Sequence, residues 1–290
     1  MNFEKFSISK YIYIIAEIGI NHNGDIALAK ELIDMAVECG CDAVKFQKRD
    51  IESVYSREIL DSYRESPWGN TQREQKQGLE FSIEEYKEID NYCSNKRIDW
   101  FASSWDVNSQ KLMRQFNFKY NKVASAMATN IDFLEEVASE KRPTFLSTGM
   151  TDLESIDKAV KIFEKHKCEV MLFHTVSTYP AEEKDLNLSC IKTLKERFSL
   201  PIGYSGHETS VSPSIVAVCL GAALYSAFKA DSTMLSTMQK KTVEKIDKID
   251  DVSSVYLGVI SLDIDKKSIN SILIKKNQKI PCEITESYYT

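Results

Sequence analysis

Short runs rich in β-branched and aromatic residues alternate with amphipathic helical stretches along most of the chain, and this rhythm confines it to a parallel α/β architecture. "YIYIIAEIGI" reads as the first strand. The stretch after it, "ALAKELIDMAVECG", keeps Leu28, Leu32, Ile33, Met35 and Ala36 on one helical face before Gly40 stops it. "DAVKFQ" is the next strand. Beyond it the pattern predicts helices over 83–96, 107–116, 130–140, 152–166, 188–198 and 211–220. Between them lie the strands "IDWFASS", "KYNKVAS", "PTFLST", "EVMLFHT", "PIGYS" and "AALYSAF", and a last helix is expected over "KKTVEKIDKIDDVSSVYLG". About eight βα units in about 250 residues is the span of a TIM (β/α)8 barrel, here expected as a single domain over residues 1–290. An open doubly wound sheet would want a Gly-rich dinucleotide turn after its first strand, and "GINHNGD" does not supply one. Residues 51–81 break the rhythm. A polar connection of that length inside a compact domain points to function.

The balance of charge narrows the partners. A net charge of −6 argues against nucleic acid, so any anionic ligand has to be met by local lysines. The first apolar run is short and contains Glu17, which makes it a buried strand and not a membrane span or signal segment. Seven scattered cysteines without a C-x-x-C pair suit reduced thiols in the cytoplasm.

In a TIM barrel the chemistry sits at the C-terminal ends of the strands. Read in order, those ends carry Glu17 with Asn21 and His22, then Lys45 and Gln47, Ser103 and Ser104, Lys122 and Ser125, Ser147 and Thr148. His174, Ser177 and Tyr179 follow, then Ser205 and His207. Small hydroxyls with two lysines suit a phosphate or carboxylate. Each lysine could instead pair with a carboxylate such as Glu17 and only shape the barrel, and a Schiff-base role for Lys45 or Lys122 also fits the pattern. A lone histidine such as His207 is as readily structural as ligating. His22 reads as a turn residue near the helix that Asp25 opens, and His166 as a solvated charge at a helix end.

The stretches "AEIGINHNGD", "GCDAVKFQK", "SPWGNTQREQKQGLEFS", "NKVAS", "LSTGM", "STYPAEEKDLNL" and "IGYSGHET" together resemble the N-acetylneuraminate (sialic acid) synthases and their pseudaminic and legionaminic relatives. The resemblance runs from Ile15 to about Gly221. It implies a barrel that condenses phosphoenolpyruvate with an open-chain N-acetylated amino sugar: carbon 3 of the enol attacks the aldehyde, water adds at carbon 2, and phosphate leaves by C–O cleavage. It further implies a divalent metal, manganese or magnesium, as Lewis acid. Lys45, Lys122, Ser125 and Ser147 match phosphoenolpyruvate-binding positions, with Ser104, Ser177 and Tyr179 beside them. Glu17 matches an acid that shuttles a proton or holds the sugar, and His207 the first of two metal-binding histidines. A homodimer through the barrel is a further expectation.

This chain departs from the family's pattern on one side of the reaction. The second metal histidine falls on Phe228, with Ser226 and Ala227 before it, and a downstream aspartate falls on Gln239. A sugar-binding carboxylate is replaced by Met127. The sequence also ends where the family's antifreeze-like domain would begin, so that domain is expected to be absent. Two readings follow: a synthase with a rewritten metal and sugar side, or a homologue without turnover that binds phosphoenolpyruvate or a partner protein.

Overall fold

The computed structural model describes residue 3 and residues 13–210 and 212–227. In chain order the strands are β1 (Tyr13–Gly19), β2 (Ala43–Lys48), β3 (Tyr63–Ser66), β4 (Gly69–Thr71), β5 (Asp99–Ser104), β6 (Asn121–Val123), β7 (Thr144–Ser147), β8 (Val170–Thr175), β9 (Ile202–Gly206) and β10 (Leu224–Ala227). Eight of them close into a barrel in the order β1-β10-β9-β8-β7-β6-β5-β2, with parallel pairing throughout. This is the expected TIM barrel. Phe228, Gln239 and the last expected helix lie outside the described residues.

Helices return the chain between strands where the periodicity places them: Ile26–Glu38, Ile83–Lys96, Val107–Met113, Ile131–Ser139, Leu153–Lys165, Cys190–Phe198 and Ser212–Cys219. The first buries Ala29, Ile33 and Ala36, whose spacing of four and three keeps them on one face. Asp25 opens it by accepting from the backbone of Ala27 and Leu28, and Gly40 turns the chain out at φ +74°, a conformation that disfavours a side chain. Asp106 does two jobs after β5. It caps its helix at Ser109 N (2.7 Å) and accepts from Asp50 N (2.8 Å), which ties the exits of β2 and β5 together.

The lower part of the barrel is plugged with rings. Phe101, Tyr120, Phe145 and Phe173 are all buried, and Phe145 lies 4.7 Å from Tyr120 and 5.3 Å from Phe173 between centroids. Gly203 makes room for this stack, since a Cβ there would stand 2.3 Å from a Phe173 ring carbon. Polar residues are thereby left to the upper end.

The expectation of a long polar connection over residues 51–81 gives way to a small folded unit. It contains helices Ile51–Val54, Arg57–Leu60 and Gln72–Gly78 around the β3–β4 hairpin. Arg73 braces it, bonding Asp61 (2.9 Å) and Glu52. The bare Cα of Gly78 receives the Trp68 ring, and Gly24 in the loop after β1 packs on the Gly78 carbonyl. His22 is buried and stacks on Phe81 (4.0 Å), while its Nδ1 accepts from Gly24 N (3.1 Å). It therefore fastens the unit to the β1 exit and is more than a turn residue. His166 caps its helix and pairs with Glu135 instead of standing free.

Burial pushes the His22 pKa down to about 4. An unfolded histidine titrates near ~6.5, so between these values the folded state binds fewer protons than the unfolded chain. Stability is thus retained above about pH 6.5 and falls as the pH drops toward 4. Thermal denaturation across that range is expected to show the decline, and His22→Phe to weaken it; an unchanged slope in the variant would refute the assignment.

Candidate active site

Glu17 of β1 and Lys45 of β2 are register partners, and their side chains meet at 2.6 Å. Lys45 is buried and its carboxylate partner nearly so. Two strands further round, Lys122 of β6 is also buried. Its ammonium bonds the Ser147 hydroxyl at the end of β7, approaches the Val123 carbonyl at 3.4 Å and lies 4.7 Å over the Phe173 ring. The desolvated position holds the Lys122 pKa well below the usual lysine range; Lys45 pushes the same way and Glu17 opposes it. One carboxylate thus serves two buried lysines.

Hydroxyls stand at the neighbouring strand ends. The Ser104 hydroxyl at the end of β5 and the Ser177 hydroxyl after β8 are buried without a hydrogen-bond partner, as is that of Thr175. Ser125 follows β6 and accepts from Gly149 N (3.1 Å). Gly149 has to be glycine here: a Cβ would stand 2.3 Å from the Ser177 oxygen and 2.8 Å from that of Ser125. One turn thus draws together hydroxyls from the ends of β6 and β8. Unpaired buried oxygens cost free energy unless a ligand or water meets them, which makes the region a candidate binding pocket.

The histidine side is built differently. His207, just past β9, is half-buried, and its Nε2 lies 2.7 Å from the Tyr179 hydroxyl with the two rings stacked at 3.9 Å. Burial pushes the His207 pKa down to about 4, helped by Lys122 and Lys45. Tyr179 is 67% exposed, so the structure places it at the rim and not among the buried hydroxyls. The side chains that could add to a metal set with His207 are engaged elsewhere. Glu208 is buried and accepts from Tyr204 (2.8 Å) and Ser214 (3.3 Å), and His174 Nε2 meets the Leu186 carbonyl at 2.7 Å. Among the described residues no cluster of three or more His, Cys, Asp or Glu could hold a metal ion. The donor set in view does not fit one. Met127 is apolar and buried in the short turn Ser125–Met127.

Sequence reasoning passed over Arg49, Arg64 and Lys76, which lie on or beside the folded unit. Its one available signal was "KRD" directly after a strand end. Thr175 was missed although it ends β8.

Residues 32–244 match the NeuB family. The human N-acetylneuraminate-9-phosphate synthase is 34% identical over 276 residues, 94% of this chain and 74% of that protein. The N,N'-diacetyllegionaminic acid synthase of Legionella pneumophila is 34% identical over 72% of this chain and 61% of its own length. A crystal structure of N-acetylneuraminic acid synthetase from Leptospira borgpetersenii, in complex with citrate, superposes with a TM-score of 0.73 at 30% identity, covering 82% of this chain and 84% of that one. No helix among the described residues is long and apolar enough to cross a membrane.

Burying Lys122 in the fold has a measurable cost. The unfolded lysine stays protonated up to about pH 10.4, whereas burial holds the folded pKa lower, so the fold binds this proton more weakly than the unfolded chain does. Lys122→Met is therefore expected to raise Tm at pH 7, by an amount that shrinks as the pH approaches 10. A lowered Tm throughout would show that the ammonium stabilises the fold.

Proposed function

The chain belongs to the NeuB family, and from that membership we propose that it condenses phosphoenolpyruvate with an N-acetylated amino sugar, yielding a nonulosonic (sialic-type) acid and phosphate. The observation that carries this reading is the pair of buried lysines, Lys45 and Lys122, sharing one carboxylate within a ring of hydroxyls. Phosphoenolpyruvate offers a phosphate and a carboxylate to such a pocket, and charge-assisted bonds in a buried site are the strong ones. Ser104, Ser125, Ser147 and Ser177 supply the hydroxyls, with Tyr179 closing from the rim.

The residues then divide the work. Lys45 and Lys122 neutralise the enol phosphate and fix its orientation, so that carbon 3 faces the incoming aldehyde. A bond forms from carbon 3 to the aldehyde carbon, water oxygen adds at carbon 2, and the bond from carbon 2 to the phosphate oxygen breaks. Glu17 lies against Lys45 with its Oε1 free of hydrogen bonds, placed to take or return a proton. The family resemblance also implies a divalent cation beside His207. The described donors do not assemble a site for it.

The competing reading, a homologue that binds phosphoenolpyruvate without turnover, draws support from the buried apolar Met127 where the resemblance implies a sugar-binding carboxylate. One assay separates the two. Incubation with phosphoenolpyruvate, manganese and N-acetylmannosamine or its 6-phosphate is expected to release inorganic phosphate. Lys45→Met and Lys122→Met are each expected to lower kcat/KM about 10- to 100-fold or more, the scale of a lost charged hydrogen bond. No release above blank with several amino sugars would remove the enzymatic reading.

Binding alone can be tested as well. A dianion arriving beside Lys122 raises its depressed pKa, so the complex takes up a proton at pH values between the free and bound pKa. Calorimetry in buffers of different ionisation enthalpy is expected to register that uptake, and affinity to fall as pH rises. Binding without proton exchange would mean that Lys122 is already charged in the empty pocket.

A further inference from the structure

Lys45 and Lys122 share one pocket, yet only one of them is paired with an acid. Lys45 meets Glu17 at 2.6 Å, so its nitrogen is engaged in an ion pair. Among the described residues Lys122 forms no ion pair. It touches the Ser147 hydroxyl, the Val123 carbonyl at 3.4 Å and the face of Phe173 at 4.7 Å. It is also only 5% exposed. A desolvated lysine among neutral groups gives up its proton more readily than one in water, and the free amine is the nucleophile. Lys45 and Glu17 are the charged groups that act on it, in opposite senses, and His207 is neutral at ordinary pH. The sequence left a Schiff-base role open for either lysine, and this geometry separates them.

The neighbouring strand ends define which carbonyl compound would react. Ser103 on β5 is the register partner of Lys122, and the next residue, Ser104, carries a buried hydroxyl without a partner. The hydroxyls of Thr175 and Ser177 are in the same state. Such donors suit a carboxylate, and a buried amine admits only a small molecule. A small α-keto acid brings both the carboxylate and an adjacent electrophilic carbon. The amine nitrogen attacks the keto carbon, a C–N bond forms, and the carbonyl oxygen becomes the hydroxyl of a carbinolamine. That oxygen then leaves as water, which carries away both amine hydrogens, and a C=N bond remains. Ser147 touches the nitrogen and is placed to relay the protons. No oxidant or reductant is consumed.

We propose that Lys122 is a carbonyl-trapping site, which forms a reversible imine with a small α-keto acid such as pyruvate while Lys45 does not. This goes beyond the condensation reading and does not depend on it. Phosphoenolpyruvate has no free keto group, so release of phosphate neither requires the imine nor reports on it. An α-keto acid held at Lys122 occupies the anion seat and makes the pocket sensitive to keto acids in its surroundings.

Borohydride reduction of the full chain in pyruvate, followed by peptide mapping, tests this without turnover. An exposed lysine titrates near ~10.4 and is only about 1% free amine at ~pH 8.4. At that pH the reduced adduct, a 1-carboxyethyl group, is expected on Lys122 about tenfold or more above any other lysine. Acetone, which lacks the carboxylate, is expected to label Lys122 about tenfold less, the scale of one charged hydrogen bond. Lys122→Arg keeps a cation but cannot form the imine, and is expected to lose the selective label. Where that variant does not fold, the map of the unaltered chain still decides. Label spread evenly over exposed lysines, label on Lys45 instead, or equal labelling by acetone and pyruvate would overturn the proposal.

Discussion

One buried ammonium without a carboxylate of its own organises the upper half of this barrel. Lys122 reaches a serine hydroxyl, a backbone carbonyl and the face of a phenylalanine, none of which cancels its charge. Glu17 could have done so but is held by Lys45. A fold selected for stability alone would place an apolar residue here or give each lysine its own acid. The imbalance persists because the surroundings are rigid: the ring stack below leaves Lys122 no room to descend, and strand pairing on both sides fixes its height. Preorganised positive charge in a closed, hydroxyl-lined space is the arrangement that favours an incoming anion over water.

Much of the barrel was legible in the sequence because periodicity reports burial. The helix Ile83–Lys96 falls where the apolar pattern puts it, and Leu153–Lys165 lies within a residue of its expected bounds. Strand ends could be read for chemistry because the fold assigns them one face, so Lys45, Lys122 and Ser147 were visible as a group before any distance was known. The folded unit over residues 51–81 was not. Its short helices and hairpin owe their form to Arg73 bridging Glu52 and Asp61 and to Trp68 resting on Gly78. Such contacts join residues separated by turns of irregular length and leave no period to detect. The engagements of Glu208 and His174 were hidden for a related reason, since each depends on a partner whose approach only the closed barrel defines.

The two ends of the pocket differ in how committed they are. Around the lysines, donors and acceptors are fixed by strands and by one glycine turn that admits no Cβ. Around His207 the partner is a tyrosine on an exposed loop, held by a single bond and a ring stack. Any ligand that needs His207 Nε2 has to displace the Tyr179 hydroxyl first. That exchange gives up little burial, because the tyrosine is mostly in solvent already. The neutral imidazole is ready for it, since burial and the nearby lysines keep it unprotonated at ordinary pH. An anion seated on Lys45 and Lys122 would cancel part of the field that now depresses His207. Filling the inner pocket with an anion therefore alters the basicity of the residue at its mouth.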